Sequence, residues 1–196
     1  MTFGAFIGML ITSILIENYV FSQFLGICPF LGLSEKPSNA VGMGCAVNFV
    51  MTLSTAITWT IYNYVLIPAG LSYLKTIAFI LVIASLVQLI EMFLKKSVPA
   101  LYSALGIYLP LITTNCVILG AALLCVNKNY NFVQSVTFSF GSAVGWTLAI
   151  VIFAGVRARI IFADPPKCFK GTPIALVTAC LIAMAFSGFQ GIELPF

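Results

Sequence analysis

Apolar residues run in long blocks along this chain, separated by short polar patches. Six blocks can be drawn, at about 3–33, 40–61, 72–94, 98–126, 132–156 and 171–192. A helix crossing a ~30 Å hydrocarbon core takes roughly 20 mostly apolar residues, so each block is long enough for one crossing. Blocks one and four are too long for one straight crossing. Lys96 to Lys128 is 32 positions (128 − 96), roughly 48 Å as a straight helix at 1.5 Å per residue. Both long blocks hold helix breakers: Gly26, Pro29 and Gly32 in the first, Pro110, Thr113, Thr114 and Asn115 in the fourth. The pattern therefore predicts an all-α membrane protein of six transmembrane helices, the first and fourth broken, in a single integral membrane domain over residues 1–196. Irregular backbone at that depth is tolerated only where it is buried in protein or lines a cavity.

The two breaks carry the same short motif. Cys28-Pro-Phe-Leu-Gly32 is echoed 88 positions later (116 − 28) by Cys116-Val-Ile-Leu-Gly120, and Thr76-Ile-Ala-Phe has a fainter echo in Thr172-Pro-Ile-Ala. The chain thus reads as two pseudo-repeats, about 1–96 and 97–196, of three spans each. An odd number of spans forces the second repeat to insert upside down relative to the first, the inverted-repeat arrangement of many transporters. Such a pair would set Cys28 and Cys116 about a pseudo-two-fold axis in the membrane plane, near mid-depth.

Composition agrees with a bilayer setting. Apolar residues make up 61% and charged residues 7% of the chain, against about 45–50% and about 25% in soluble domains. A net charge of +4 is too small to suggest nucleic acid, and its distribution says more than its sum. Loops one, three and five hold Lys36, Lys95, Lys96, Arg157, Arg159, Lys167 and Lys170, whereas the opposite side holds only Lys75 and Lys128. The positive-inside bias places the odd-numbered loops in the cytoplasm and both termini outside. Residues 1–25 lack a basic leader and a small-residue cleavage site, so this stretch reads as a retained span.

The polar patches inside the long blocks hold the candidate chemistry. Six cysteines without a Cys-x-x-Cys pair resemble neither a disulfide framework nor a zinc module, and there is no histidine to serve as haem ligand or proton shuttle. Pro29 suits the first turn of a helix and Asn115 is a favoured cap, so Cys28 and Cys116 both read as thiols at the start of a half-helix. Unpaired amides and the positive dipole end favour thiolate there, the form that binds iron. Gly26, Gly32 and Gly120 let backbone approach closely, so that amides can donate to a buried anionic cluster. A two-iron cluster takes four thiolates; two from this chain would leave two for a second subunit. The plain alternative is that a cysteine in a membrane helix is a small inert hydrophobe, and that reading is kept for Cys45, Cys125, Cys168 and Cys180.

Other polar residues are weighed the same way. Glu17, an acid in a long apolar stretch, reads either as part of an ion path or second shell or as an acid bonded to Asn18 or backbone. Thr113, Thr114 and Asn115 either donate to cluster sulfur and line an ion path, or simply cap a broken helix. Glu91 and Lys95 have the spacing of an interfacial pair. Trp59, Tyr62, Tyr64 and Tyr130 suit interfacial belts, and Gly42-x-Gly44 suits helix packing better than dinucleotide binding. With no soluble domain, the chain offers nowhere to bind flavin or NAD.

These stretches carry a resemblance. Glu17-Asn-Tyr-Val, Leu25-Gly-Ile-Cys-Pro-Phe-Leu-Gly-Leu-Ser34, Val41-Gly-Met-Gly, Phe49-Val-Met-Thr-Leu, Val87-Gln with Glu91-Met, Leu109-Pro-Leu-Ile-Thr-Thr-Asn-Cys116, Phe140-Gly-Ser-Ala-Val-Gly-Trp146 and Arg157 resemble the A-subunit family of Rnf ion-translocating electron-transport complexes. The E subunit of the sodium-translocating NADH:quinone oxidoreductase is similar but less close. The resemblance implies a bacterial cytoplasmic (inner) membrane subunit of a Na⁺- or H⁺-translocating ferredoxin:NAD oxidoreductase. It also implies a [2Fe-2S] cluster held half by Cys28 and Cys116 and half by a homologous, oppositely oriented E subunit, with the B, C, D and G subunits as further partners. A small-solute secondary transporter is the alternative that inverted repeats with broken helices leave open.

Overall fold

The computed structural model describes residues 3–34, 37–97, 109–160, 162, 166 and 169–188. Among these the chain is helical, without strands. The helices are α1 (Phe3–Ile11), α2 (Ile27–Leu33), α3 (Pro37–Ile61), α4 (Lys75–Ser97), α5 (Leu109–Thr113), α6 (Cys116–Asn127), α7 (Phe132–Ile160) and α8 (Thr172–Ser187). Two π segments, Thr12–Ile16 and Tyr62–Leu66, prolong α1 and α3, and a 3₁₀ turn at Ser72–Leu74 leads into α4.

Among the described residues four helical stretches are long and apolar enough to cross a membrane: Pro37–Leu66, Ser72–Met92, Pro110–Asn127 and Phe132–Ile160. Phe6–Ile16 and Thr172–Ser187 are apolar but shorter. Of the fourth predicted block, residues 98–108 lie outside the described residues.

Both expected interruptions are present, and the first differs from the expectation. The backbone leaves the helix at Glu17 and regains it at Ile27, so the break spans residues 17–26 rather than centring on Gly26, Pro29 and Gly32. Pro29 and Gly32 lie inside α2. Pro29 is its third residue, in the first turn, where a missing N–H costs nothing because no intrahelical acceptor exists. Gly26 is the residue before α2, in the left-handed conformation at φ 76°, which glycine adopts without a Cβ clash. In the fourth block Pro110 is the second residue of α5, and the described break is the two residues Thr114 and Asn115.

The chain divides into two compact units, residues 1–45 with 141–196, and residues 46–140. In the first, the α1 and π segments pack on α7 through glycine. A Cβ at Gly145 would lie 2.8 Å from the Ile14 carbonyl oxygen, and one at Gly141 would meet the Ser13 side chain. Gly141-x-x-x-Gly145 is therefore a small-residue stripe that lets two backbones approach, the packing device of helices in lipid. Gly44 of α3 faces Thr147 in the same way. Phe30 stacks on Phe153 with ring centroids 4.5 Å apart and meets Phe21 edge-on at 6.0 Å.

The second unit is held by hydroxyls as much as by apolar contact. Thr55 and Ser139, both fully buried, share a hydrogen bond of 2.8 Å, and Ser139 Oγ also donates to the Met51 carbonyl at 3.2 Å. Buried hydroxyls of this kind tie helices together where apolar burial gives little net drive. At one end Trp59 Nε1 donates to the Tyr130 carbonyl at 2.8 Å while its ring meets Phe132 edge-on. Lys128 sits over the Tyr130 and Phe138 rings. An amphipathic aromatic-and-cation cluster suits a membrane–water boundary.

Candidate electron-transfer site

Cys116 is the first residue of α6 and Asn115 its cap. The Asn115 Oδ1 accepts from the Val117 N–H at 3.2 Å, satisfying one of the donors that a helix start leaves open. Upstream, the Thr114 N–H and Oγ1 both donate to the Pro110 carbonyl, at 3.3 and 3.1 Å, and the Asn115 N–H donates to Ile112 at 3.2 Å. The Thr-Thr-Asn run thus closes one helix and opens the next within two residues. Thr113 ends α5 and is half-buried. The Asn115 Nδ2 is buried with no hydrogen-bond partner among the described residues.

Cys28 is the second residue of α2. Its helix is led in by a turn-rich stretch closed by Ser22 N–H to Asn18 O and Leu25 N–H to Tyr19 O, both 2.8 Å. Phe24, with φ 55°, and Gly26 give the chain the tight reversal that this approach needs. Glu17 stands at the exit of the π segment, half-buried, with its N–H donating to the Thr12 carbonyl at 2.8 Å.

The two thiols have matching surroundings. After Cys28, Pro29 and Phe30 are buried, Leu31 is half-buried and Gly32 is exposed; after Cys116, Val117 and Ile118 are buried, and Leu119 and Gly120 are half-buried. In each case two buried side chains anchor the first turn, and the thiol shares the opposite, accessible side with a glycine one turn on. Cys28 is exposed and Cys116 partly so. A Cβ at Gly32 would meet nothing within 4 Å, so the space beside Cys28 is open. Thiols with this access and this start-of-helix setting suit iron–sulfur ligation by donor chemistry. Among the described residues no three or more His, Cys, Asp or Glu side chains gather at metal-binding spacing, so any cluster needs ligands from elsewhere.

The remaining described cysteines differ. Cys125 is buried in α6 with its Sγ–H directed to the Ser135 carbonyl at 3.8 Å, a packed thiol. Cys45 and Cys180 are exposed on helix surfaces; Cys168 lies outside the described residues.

Two contributors were not singled out by sequence reasoning. Asn18, fully enclosed, donates from Nδ2 to the Ile14 and Gly145 carbonyls, at 3.3 and 3.0 Å, and accepts the Val20 N–H on Oδ1 at 3.1 Å. Its signal in the sequence was an amide inside an apolar block. Arg157, counted only as a loop charge and a point of resemblance, donates from Nη1 to the Leu31 carbonyl and to Ser34 Oγ, both at 2.8 Å.

With the geometry in place, the comparisons bear on it. Residues 6–193 match the family described as Rnf-Nqr subunit, membrane protein. The A subunit of the ion-translocating oxidoreductase complex of Syntrophotalea carbinolica is 55% identical over 184 residues, covering 94% of this chain and 95% of that one. The A subunit of the Na(+)-translocating ferredoxin:NAD(+) oxidoreductase complex of Acetobacterium woodii is 55% identical over 188 residues, covering 96% and 98%. The A subunit of the ion-translocating oxidoreductase complex of Aeromonas salmonicida is 52% identical over 94% of this chain and 95% of its own.

Proposed function

The chain belongs to the Rnf-Nqr family of membrane subunits, and from that premise we propose that it is the A-type integral membrane subunit of a redox-driven, Na⁺- or H⁺-translocating ferredoxin:NAD oxidoreductase. In this reading Cys28 and Cys116 supply half the ligands of a [2Fe-2S] cluster, and a homologous E subunit supplies the other half. The observation that carries it is the matched setting of the two thiols, each in the first turn after a helix break, with two buried anchors behind it and a glycine one turn on. Bound there, the cluster supplies one-electron transfer at membrane depth.

The residues of this chain then have definable tasks. Cys28 and Cys116 would hold iron through their sulfurs, as thiolate ligands do in such clusters. Pro29 and Phe30 after Cys28, and Val117 and Ile118 after Cys116, fix the turns that carry the sulfurs. Gly32 leaves open space beside Cys28, and Gly120 holds the matching place one turn after Cys116. The Asn115 cap sets the direction of α6. Glu17 and Thr113 are the polar groups nearest the interruptions in sequence and are candidates for an ion path.

The same proposal takes the short helices as parts of six spans in two inverted repeats. The charge pattern sets the odd loops in the bacterial cytoplasm and both termini outside. Flavin, NAD and further iron–sulfur centres would belong to the other subunits, B, C, D and G. A small-solute secondary transporter is the second reading, favoured by the two interrupted helices alone.

The deciding experiment is iron content and visible absorbance of the chain co-purified with its homologous partner, in wild type and in Cys28→Ser and Cys116→Ser. Loss of iron and absorbance in either variant is expected. A wild-type pair without iron, or one keeping all its iron after both substitutions, ends the cluster reading. Solute uptake that survives both would point to the transporter.

A further inference from the structure

We infer that Arg157 is a positioning residue for Cys28, acting through the short helix α2. The inference rests on the reading that Cys28 is a cluster ligand. Seven residues are too few for a helix to hold itself together; isolated helices need about 12–15 residues even to be marginal in water. α2 is therefore held by what it touches, and α7 touches it at two points one turn apart. Phe153 stacks on Phe30 at 4.5 Å. Four residues on, Arg157 donates to the Leu31 carbonyl and to Ser34 Oγ, both at 2.8 Å.

The second contact has a particular chemistry. The Leu31 carbonyl is one of the acceptors that the end of α2 leaves without an intrahelical donor. A guanidinium there satisfies it and places positive charge at the negative end of the helix dipole. Ser34, fully buried, also donates from Oγ to the Leu31 carbonyl at 3.3 Å, so Arg157, Ser34 and Leu31 form a closed three-way set. Phe153 and Arg157 together fix both the translation and the rotation of α2 on α7. That rotation decides which way Cys28, at the opposite end, presents its sulfur. A lysine has one compact ammonium in place of the planar fork and would hold the set less firmly.

The test uses the intact complex purified from membranes, with Arg157→Gln, Arg157→Lys, Ser34→Ala and the double variant Arg157→Gln with Ser34→Ala. Three quantities are read: iron per complex, the electron paramagnetic resonance spectrum of the reduced cluster, and, after iron is removed by chelation, the rate at which N-ethylmaleimide alkylates Cys28 relative to Cys180. Arg157→Gln is expected to raise the relative Cys28 rate several-fold, to lower iron occupancy and to change the spectrum of the clusters that remain. Arg157→Lys and Ser34→Ala should move in the same direction by less, and Ser34→Ala should add nothing to Arg157→Gln, since both break one set. If Arg157→Gln does not assemble, the Arg157→Lys and Ser34→Ala variants carry the test. Unchanged Cys28 alkylation and an unchanged spectrum in the assembled variants overturn the positioning role. Absence of iron from wild-type chain co-purified with only its homologous partner defeats the cluster reading instead, and the alkylation rates still decide whether Arg157 sets Cys28.

Discussion

Asn18 Nδ2 donates to the carbonyl of Gly145 at 3.0 Å, so an amide from the first break is bonded into the backbone of α7. The carbonyl is reachable because Gly145 has no side chain and the Ile14 backbone can lie against it. With Ile14 and Val20 as its other partners, one side chain ties the end of the π segment and the start of the break to α7. Removing it takes away two donated bonds and leaves the buried Val20 N–H without this acceptor, a loss of about 1–3 kcal/mol. Asn18→Ala should therefore lower the thermal midpoint of the detergent-solubilised protein by several degrees. Asn18→Asp should not rescue it, because a carboxylate can accept the Val20 N–H but donates nothing to Ile14 or Gly145. A midpoint equal to wild type in Asn18→Ala would show that this amide does not hold the break.

The glycine stripe on α7 gives a prediction with opposite signs on one helix. A Cβ at Gly145 would press on backbone atoms of Ile14, and overpacking of that kind costs about 1–3 kcal/mol. Gly155, also in α7, has nothing within 4 Å of its would-be Cβ, and there alanine gains helix propensity of up to about 1 kcal/mol. Gly145→Ala should lower the unfolding midpoint while Gly155→Ala leaves it equal or raises it. Matched losses in both variants would contradict the close-approach account.

Asn115 should separate capping from the amide's second group. Ser and Asp at that position can still accept the Val117 N–H, whereas Ala cannot, and a lost cap costs about 1 kcal/mol. Asn115→Ala should destabilise the protein by about that amount, with Asn115→Ser and Asn115→Asp close to wild type in thermal scans. If all three lose equally, the buried Nδ2, and not the cap, is what stability depends on.

The thiols should sort by access. In the iron-depleted complex a membrane-permeant maleimide should modify Cys28 and Cys116 well before Cys125, which reacts only on unfolding because it is buried in α6 with its thiol directed to the Ser135 carbonyl. Mass spectrometry of the labelled peptides gives the order directly. Early modification of Cys125 would mean that α6 opens in the native state.

How far the sequence foretold this depends on whether the deciding contact was local. Asn115 capping Cys116's helix was legible because the cap and the amide it serves are two residues apart. The second break was therefore placed correctly at Thr114 and Asn115, with Pro110, read as part of it, lying in the helical turn just before. The first break was legible in its existence but not its limits. Glu17 to Leu25 leaves the helix because Asn18 and the Gly141–Gly145 face meet across more than a hundred residues, and no local propensity encodes that. Pro29 and Gly32 drew attention as breakers, yet a proline in a first turn breaks nothing. Arg157 was counted as a loop charge, and its contact with Leu31 depends on tertiary packing that spacing does not reveal.

The π segment at Thr12–Ile16 has a consequence for how this helix is to be compared and altered. Its wider turn, bonded i to i+5, carries one residue more than an α-helical turn needs, so everything after it is out of phase with everything before it. Helical wheels drawn from Phe3 therefore mispoint Ser13, Ile14 and the residues that follow. A chain one residue shorter here would reset that phase in a single step, turning Asn18 away from the Gly145 carbonyl of α7 without changing any other side chain.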